Sequence, residues 1–223
     1  PNIRAGYIQK AQQFETEMPK YVGTFKARFP DYRPTQDIVV LHSLGEMDGG
    51  PRTINGKNYL VFGVDSMVKY HGNGNESAFF HHELFHTYHR AVGGCDSEAV
   101  WSNLWSEGLA TYVSKVMNPG ANNVELLLDF PNGMANRVQA VLPAALAQLE
   151  SVLDKEDDKS VGGLFFGSVD DGSGLPRRRG YYLGMLVAQE AAKGHDLQAL
   201  AKLGCEPVKQ IVHKAVRDLR AAK

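Results

Sequence analysis

The stretch FFHHELFHTYHR, residues 79–90, holds four of the eight histidines of this 223-residue chain and one glutamate. On an α-helix, which turns by about 100° per residue, His82 and His86 project from one face about one turn apart. Two imidazoles at this spacing can bind one tetrahedral metal ion. Glu83, turned by about 100°, can then face the open side of the ion as a base. The pattern therefore predicts a metal-binding helix, with Zn²⁺ as the favoured ion.

The two remaining histidines of this stretch are not expected to bind the ion directly. His81 has Phe85 four residues later, so its own helix face offers no second imidazole. His89 lies about 10 Å along the axis from His82, too far for three ligands to converge from one straight helix. We expect His89 to be structural or to support the site from beneath. The alternative to a metal site is a half-exposed polar helix face that is rich in histidine.

A third protein ligand must come from another part of the chain, and Glu107 in LWSEGLATYVS is the favoured candidate. It is a lone acid on an apolar helical stripe, where a buried carboxylate without a cation is costly. Glu98 is the competitor, but acids are common near helix starts because they favour the N-terminal dipole. Gly108 is expected to let this helix approach the motif helix closely.

Composition narrows the functional classes. The chain has 24 basic and 25 acidic residues, which argues against a nucleic-acid or membrane-surface binder. No apolar run approaches the roughly 20 residues that span a bilayer. Cys95 and Cys205 are either one disulfide or two buried thiols, and the sequence favours thiols. Because the chain starts at Pro1, we expect a processed or trimmed product, which favours a bacterial extracytoplasmic location.

The hydrophobic pattern predicts an α+β fold in one domain, residues 1–223, with an N-terminal α+β lobe to about residue 92 and a helical lobe from about residue 93. The first lobe is expected to contain a helix at 3–28, a buried strand at 37–44 and a hairpin turning at Asn55-Gly56.

The pattern of the second lobe predicts four further helical stretches and one long loop. Asp96 or Ser97 should cap the helix that carries Glu107. Residues 133–154 should form helices split at Pro143. Two more helices should follow residues 154–180, which read as a glycine-rich loop.

Three motifs carry a resemblance to known metallopeptidases. HELFHTYHR is followed, 21 residues after His86, by EGLATY and later by GYYLG at 180–184. This combination resembles the gluzincin zinc peptidases, which include thermolysin and the M1-type aminopeptidases. It is most similar to a bacterial family of predicted zinc-dependent proteases with HExxHxxHR, EGLAxY and GYxxG motifs. The resemblance implies a zincin-like fold, in which a small mixed sheet packs on the HExxH helix.

The resemblance also implies roles for individual residues. His82, His86 and Glu107 would be the zinc ligands, and Glu83 the catalytic base. Tyr181 would stabilise the oxyanion, with Tyr182 as the close alternative.

One position departs from the thermolysin pattern. Thermolysin-like enzymes place an acid four residues after the glutamate ligand, where this chain has Thr111. Asp96, Asp65 or a backbone carbonyl is then expected to orient the ligating histidines. SLGEMDGGPR matches the glycine-rich motif of aminopeptidases only loosely, which does not support that activity.

The predicted function is zinc-dependent hydrolysis of peptide bonds in a peptide or protein substrate. An extended substrate would pair with the edge strand of the KNYLVFGV hairpin, the loop 157–179 would act as a lid, and Arg177–Arg179 would meet a substrate carboxylate. The alternatives are a non-catalytic zinc-stabilised module that binds peptides or proteins, and a zinc hydrolase of another amide or an ester. The sequence leaves open the cleavage specificity, the choice between endo- and exopeptidase, and the oligomeric state.

Overall fold

The computed structural model describes residues 3–34, 36–71, 74–93, 95 and 97–222. The chain divides into two compact units, Pro1–Tyr88 and His89–Lys223. The fold class is α+β, as predicted. The elements in chain order are α1 Ile3–Arg28, β1 Asp37–Leu41, β2 Gly49–Ile54, β3 Lys57–Gly63, α2 Val64–Tyr70, α3 Ser77–Val92, α4 Val100–Met117, α5 Met134–Ala140, α6 Leu142–Val152, α7 Asp158–Phe165, α8 Arg179–Ala191, a short 3₁₀ helix Ala192–Gly194, α9 Leu197–Ala201 and α10 Cys205–Ala221.

The sheet of the first unit has the strand order β1-β3-β2 and is mixed. β1 pairs parallel to β3, whereas β2 pairs antiparallel to it. The β2–β3 hairpin turns at Asn55 and Gly56, whose φ angles of 51° and 76° both lie in the left-handed region. Two positive φ angles are the signature of the type I′ turn that the Asn-Gly pair predicts.

One expectation about the strands needs correction. β1 was predicted as a buried strand over 37–44, but it ends at Leu41 and is only half-buried. Its position at the sheet edge explains the exposure, because it pairs on one side only. The KNYLVFG segment forms β3, the central strand, whose two sides are already paired. Among the described strands, β1 and β2 form the two edges at which an extended peptide could join this sheet, and β2 is the edge strand of the hairpin.

An aromatic core joins the sheet to α3 and α1. The ring of Phe62 on β3 lies 5.6 Å from Phe79 and 4.9 Å from Phe80, measured between ring centroids, and 5.3 Å from Phe14 on α1. All three of Phe62, Phe79 and Phe80 are buried. Because T-shaped aromatic pairs have a preferred geometry as well as a large buried area, these contacts fix α3 on the sheet.

In the second unit, α4 and α8 approach each other through two glycines. A Cβ atom added to Gly108 would lie 2.3 Å from the backbone carbon and oxygen of Gly184. The expectation for Gly108 was therefore wrong about the partner, because the helix that meets this glycine is α8. The contact explains two of the motifs at once, since Gly108 belongs to EGLATY and Gly184 to GYYLG.

The start of α4 also differs from the prediction. The helix begins at Val100 with Ala99 as its N-cap, so Ser97 does not cap it. Asp96 lies outside the described residues. The backbone N–H groups of Val100 and Trp101 donate instead to the carbonyls of Lys155 and Leu153, at 2.8 and 2.9 Å. Distant backbone carbonyls thus satisfy donors that a side-chain cap would otherwise bind.

The segment 154–180 is partly helical, which corrects the prediction of a single long loop. α7 begins after Asp157, whose side chain accepts a hydrogen bond from the backbone N–H of Ser160. The split of 133–154 is confirmed, since α5 ends at Ala140 and Pro143 lies in the first turn of α6. Proline is tolerated there because the first-turn N–H groups have no partner within the helix.

Cys95 and Cys205 form a disulfide, with their Cα atoms 5.0 Å apart. The expectation of two thiols was wrong, because the fold brings together two residues 110 positions apart. The bond connects the segment before α4 to the first residue of α10. Across the described part of the chain, no helix has the length and apolarity needed to cross a bilayer.

Candidate metal centre

The helix that carries the histidines is fixed at its start by local hydrogen bonds. The side-chain oxygen of Asn75 accepts from the N–H of Ser77 at 2.8 Å, and the N–H of Phe80 donates to the carbonyl of Glu76. An Asn side chain in this position satisfies one of the donors that a helix leaves unpaired at its start. The helix then continues without proline or glycine through Val92.

His82 and His86 are half-buried, and their Nε2 atoms lie 2.9 Å apart. The ring centroids are 4.6 Å apart, with the ring planes at 79°. Both nitrogens therefore point to the same place on the helix surface. This is the arrangement that the four-residue spacing predicts.

Glu107 supplies a third donor atom to this group. One ligand atom each from His82, His86 and Glu107 lies within 4.8 Å of the other two, and all three residues are half-buried. Ligands about 2.1 Å from a tetrahedral zinc ion lie about 3.4 Å from one another. Two imidazole nitrogens and one carboxylate oxygen are donors whose chemistry suits zinc.

Glu83 is buried, with 8% of its surface exposed. Viewed down the helix axis, Glu83 lies about 100° from His82 and about 60° beyond His86 in the same direction. A carboxylate in this position borders the face that carries the two imidazoles.

His81 and His89 are both buried, at 2% and 4% exposure. The Nε2 atom of His81 lies 2.9 Å from the hydroxyl of Thr24 on α1, and its ring stacks on Phe25 with centroids 6.4 Å apart. His81 thus faces α1. The backbone carbonyl of His89 accepts from the N–H of Gly93 near the end of α3.

The two candidate tyrosines have different surroundings on α8. The Tyr182 hydroxyl donates to the side-chain oxygen of Gln139 on α5 at 2.7 Å, and burial raises the pKa of that hydroxyl. The Tyr181 ring packs edge-on against Phe165, with centroids 5.8 Å apart. Tyr181 precedes Gly184 by three residues, about one turn of α8.

Asp65, one of the residues expected to support the ligands, is engaged elsewhere in the fold. Asp65 accepts from the N–H groups of Ser43 and Gly45, each at 2.6 Å, so it organises the turn after β1. Burial favours a higher pKa for this carboxyl, but these hydrogen bonds outweigh it and lower the pKa. Thr111 donates its hydroxyl to the backbone carbonyl of Glu107 at 2.8 Å. Glu98, the rival ligand, is exposed.

The three arginines that were expected to contact the substrate differ in their surroundings. Arg177 donates to the carbonyl of Gly167 at 3.0 Å and lies 3.5 Å from Asp170. Arg179 is buried and forms an ion pair with Asp171. The expectation that Arg179 contacts a substrate carboxylate was therefore wrong. Its guanidinium holds the segment after α7 in place. The pKa of Asp171 falls to about 2, because hydrogen bonds from Ser173 and Arg179 outweigh the effect of burial.

A buried group of charged side chains around one histidine, His71, was not predicted from the sequence. His71 is buried, with Nδ1 2.7 Å from a Glu76 oxygen and Nε2 3.2 Å from an Asp48 oxygen. The ammonium group of Lys10 also pairs with Glu76. Burial alone would lower the pKa of His71. The hydrogen bonds and negative charges of its two acidic partners outweigh burial and raise that pKa to about 9.

No protein-family model, curated protein or solved structure matches this chain.

Proposed function

We propose that this protein is a zinc-dependent peptidase of the gluzincin type, with a zincin-like arrangement of its mixed sheet and motif helix. The observation that carries the proposal is the convergence of one ligand atom each from His82, His86 and Glu107 within 4.8 Å. The buried carboxylate of Glu83 beside this group supports catalysis over a purely structural site, because a structural site needs no base.

The ligand set would hold the ion and leave one position open. When bound, zinc supplies a Lewis acid that lowers the pKa of a coordinated water to about 7 and polarises a substrate carbonyl. Glu83 would take a proton from the attacking water as the new carbon–oxygen bond forms. It would then deliver that proton to the leaving nitrogen as the carbon–nitrogen bond breaks. Tyr181 would donate a hydrogen bond to the carbonyl oxygen as negative charge develops there.

An extended substrate would add to the sheet at β2, the outer strand of the hairpin. β-Strand addition uses main-chain hydrogen bonds and therefore accepts many side-chain sequences. The Cys95–Cys205 disulfide supports an oxidising location, and we extend the proposal to an extracytoplasmic compartment.

Glu83→Gln separates catalysis from metal binding. We expect the variant to retain about one equivalent of zinc and to lose turnover of a peptide library by about 10³-fold or more, because the amide cannot accept a proton. Metal content is measured by mass spectrometry and cleavage by product analysis. Full activity in the variant would refute the mechanism. Zinc binding by a wild type that cleaves neither peptides nor simple esters would favour the non-catalytic binding module.

A matched pair of glutamates tests the ligand set. Glu107→Ala should lower zinc affinity strongly, whereas Glu98→Ala, which changes the exposed rival on the segment before α4, should leave it unchanged. Equal effects in the two variants would remove Glu107 from the site. Circular dichroism of both proteins checks that the helices still form.

A further inference from the structure

Arg178 differs from Arg177 and Arg179 in the side chains that surround it. Arg177 lies beside Asp170 and Arg179 is paired with Asp171. Among the residues that the structure describes, no carboxylate lies within ion-pairing distance of Arg178, and its buried Nε atom has no hydrogen-bond partner. A guanidinium carries five N–H donors in a planar fork that matches a carboxylate. The guanidinium of Arg178 can therefore bind a carboxylate, whereas those of Arg177 and Arg179 already lie beside one.

Two aromatic rings hold the Arg178 side chain in one orientation. Its guanidinium carbon lies 5.2 Å from the centre of the Phe130 ring and 4.7 Å from the centre of the Tyr181 ring. Guanidinium groups stack favourably on aromatic faces, and such stacking leaves the edge of the fork free to donate hydrogen bonds. The residue is half-buried, so part of it remains accessible to a ligand.

The backbone around Arg178 adds further positive potential. Arg178 is the N-cap of the 13-residue helix α8, and the first turn of that helix contains no acidic residue. The unpaired N–H groups at a helix start favour an anion nearby. The local charge, the planar donor and the rigid aromatic frame all match a carboxylate.

Tyr181 connects this arginine to the proposed chemistry. It stacks on Arg178 and precedes by one helical turn Gly184, the residue that meets Gly108 beside Glu107. A carboxylate bound by Arg178 would therefore lie within a residue or two of a carbonyl held by Tyr181, since successive Cα atoms are about 3.8 Å apart.

We infer that Arg178 binds the C-terminal carboxylate of a peptide substrate, so that the enzyme removes one or two residues from free C-termini. This inference rests on the proposed peptidase function and specifies its substrate class. Of the three arginines, Arg178 alone would recognise the substrate carboxylate.

Two substrates that differ only at the C-terminus test the inference. N-acetyl-glycyl-phenylalanyl-leucine is compared with the same peptide as its C-terminal amide. We expect wild type to cleave the free acid at least about 10-fold more efficiently, as judged by kcat/KM. Arg178→Gln should abolish that preference by slowing the acid alone, Arg178→Lys should retain part of it, and Arg177→Gln should retain it fully. Equal cleavage of acid and amide by wild type, or equal slowing of both by Arg178→Gln, would overturn the inference.

A binding measurement separates this inference from the peptidase proposal. Titration calorimetry of the two peptides into zinc-loaded Glu83→Gln protein should show tighter binding of the acid, lost in Glu83→Gln/Arg178→Gln. If wild type cleaves neither peptide, the peptidase proposal fails, and the calorimetry alone decides whether Arg178 binds a carboxylate. Equal affinity for acid and amide in that experiment overturns the Arg178 site.

Discussion

Two groups of histidine and acidic side chains lie near the start of α3, and they arrange their donor atoms in opposite ways. His71 places its two ring nitrogens against two different carboxylates, and Lys10 balances the remaining charge. His82 and His86 instead direct their Nε2 atoms towards each other, 2.9 Å apart. The donor atoms of the His71 group face partners in the protein, as expected of a group that stabilises the fold. The Nε2 atoms of His82 and His86 lie together, as the proposed metal site requires.

The largest expected effect separates the clusters by zinc affinity. His86→Ala should weaken zinc binding by at least about 10³-fold, because roughly 10–16 kcal/mol of apparent binding free energy is shared by few ligands. His71→Gln should leave zinc affinity unchanged although it destabilises the fold. Competition with a chromogenic chelator measures both. A large loss of zinc affinity in His71→Gln would show that the two groups are not functionally distinct.

Breaking the satisfied cluster should mainly affect stability. Glu76→Gln leaves the charges of Lys10 and His71 buried without their shared carboxylate, and we expect a loss of about 3–5 kcal/mol in the free energy of unfolding. Urea denaturation measures it. Glu17→Gln is the control, because Glu17 pairs with Lys20 on the surface and should cost less than about 1 kcal/mol. Similar values for the two variants would show that the buried cluster is not structural.

The pH dependence of stability should follow His71. Its pKa is raised from 6.5 to about 9, so its contribution is fully present below pH 6.5 and is lost as the pH rises through 9. The opposite holds for Asp48, whose pKa is lowered because hydrogen bonds and the His71 charge outweigh burial; its contribution is lost in acid, below pH 3.8. Unfolding free energies measured from pH 6 to 10 should fall by about 3 kcal/mol. His71→Gln should flatten this alkaline decline, and an unchanged decline would contradict the assignment.

The smallest expected effect concerns the glycine beside Glu107. Gly108→Ala places a methyl group against the backbone of Gly184 and should cost about 1–3 kcal/mol in stability. It should also weaken zinc binding by moving Glu107, while the pH profile set by His71 stays the same. Gly120→Ala provides the control, because a Cβ atom there meets nothing within 4 Å. Equal thermal melting of both variants would show that α4 and α8 can separate without cost.

Local patterns predicted the elements better than the contacts between them. The periodicity of residues 3–28 and the Asn55-Gly56 pair predicted α1 and the hairpin, because both depend on neighbouring residues. The convergence of His82 and His86 likewise follows from one helix. The Cys95–Cys205 bond depends instead on how the chain folds between two cysteines that are 110 positions apart, and no spacing rule predicts it.

The other features that the sequence did not predict also depend on contacts between residues far apart in the chain. The start of α4 is satisfied by backbone carbonyls of residues 153 and 155, so no side-chain capping signal marks it. The roles of Arg177–Arg179 depend on which carboxylate lies nearby in space, a property that their shared sequence context does not contain. The glycines of EGLATY and GYYLG were visible as motif positions, but their mutual contact appears only in the folded chain.

The disulfide has a topological consequence. It turns residues 95–205 into a closed covalent ring that contains Glu107, Arg178 and Tyr181. Residues 172–174, an exposed turn within that ring, can be cut once by a protease without separating the two resulting fragments. A nicked molecule would run as one species on a non-reducing gel and as two after reduction. A nick in this turn would thus open the covalent ring while leaving α4 and α8 on the same molecule.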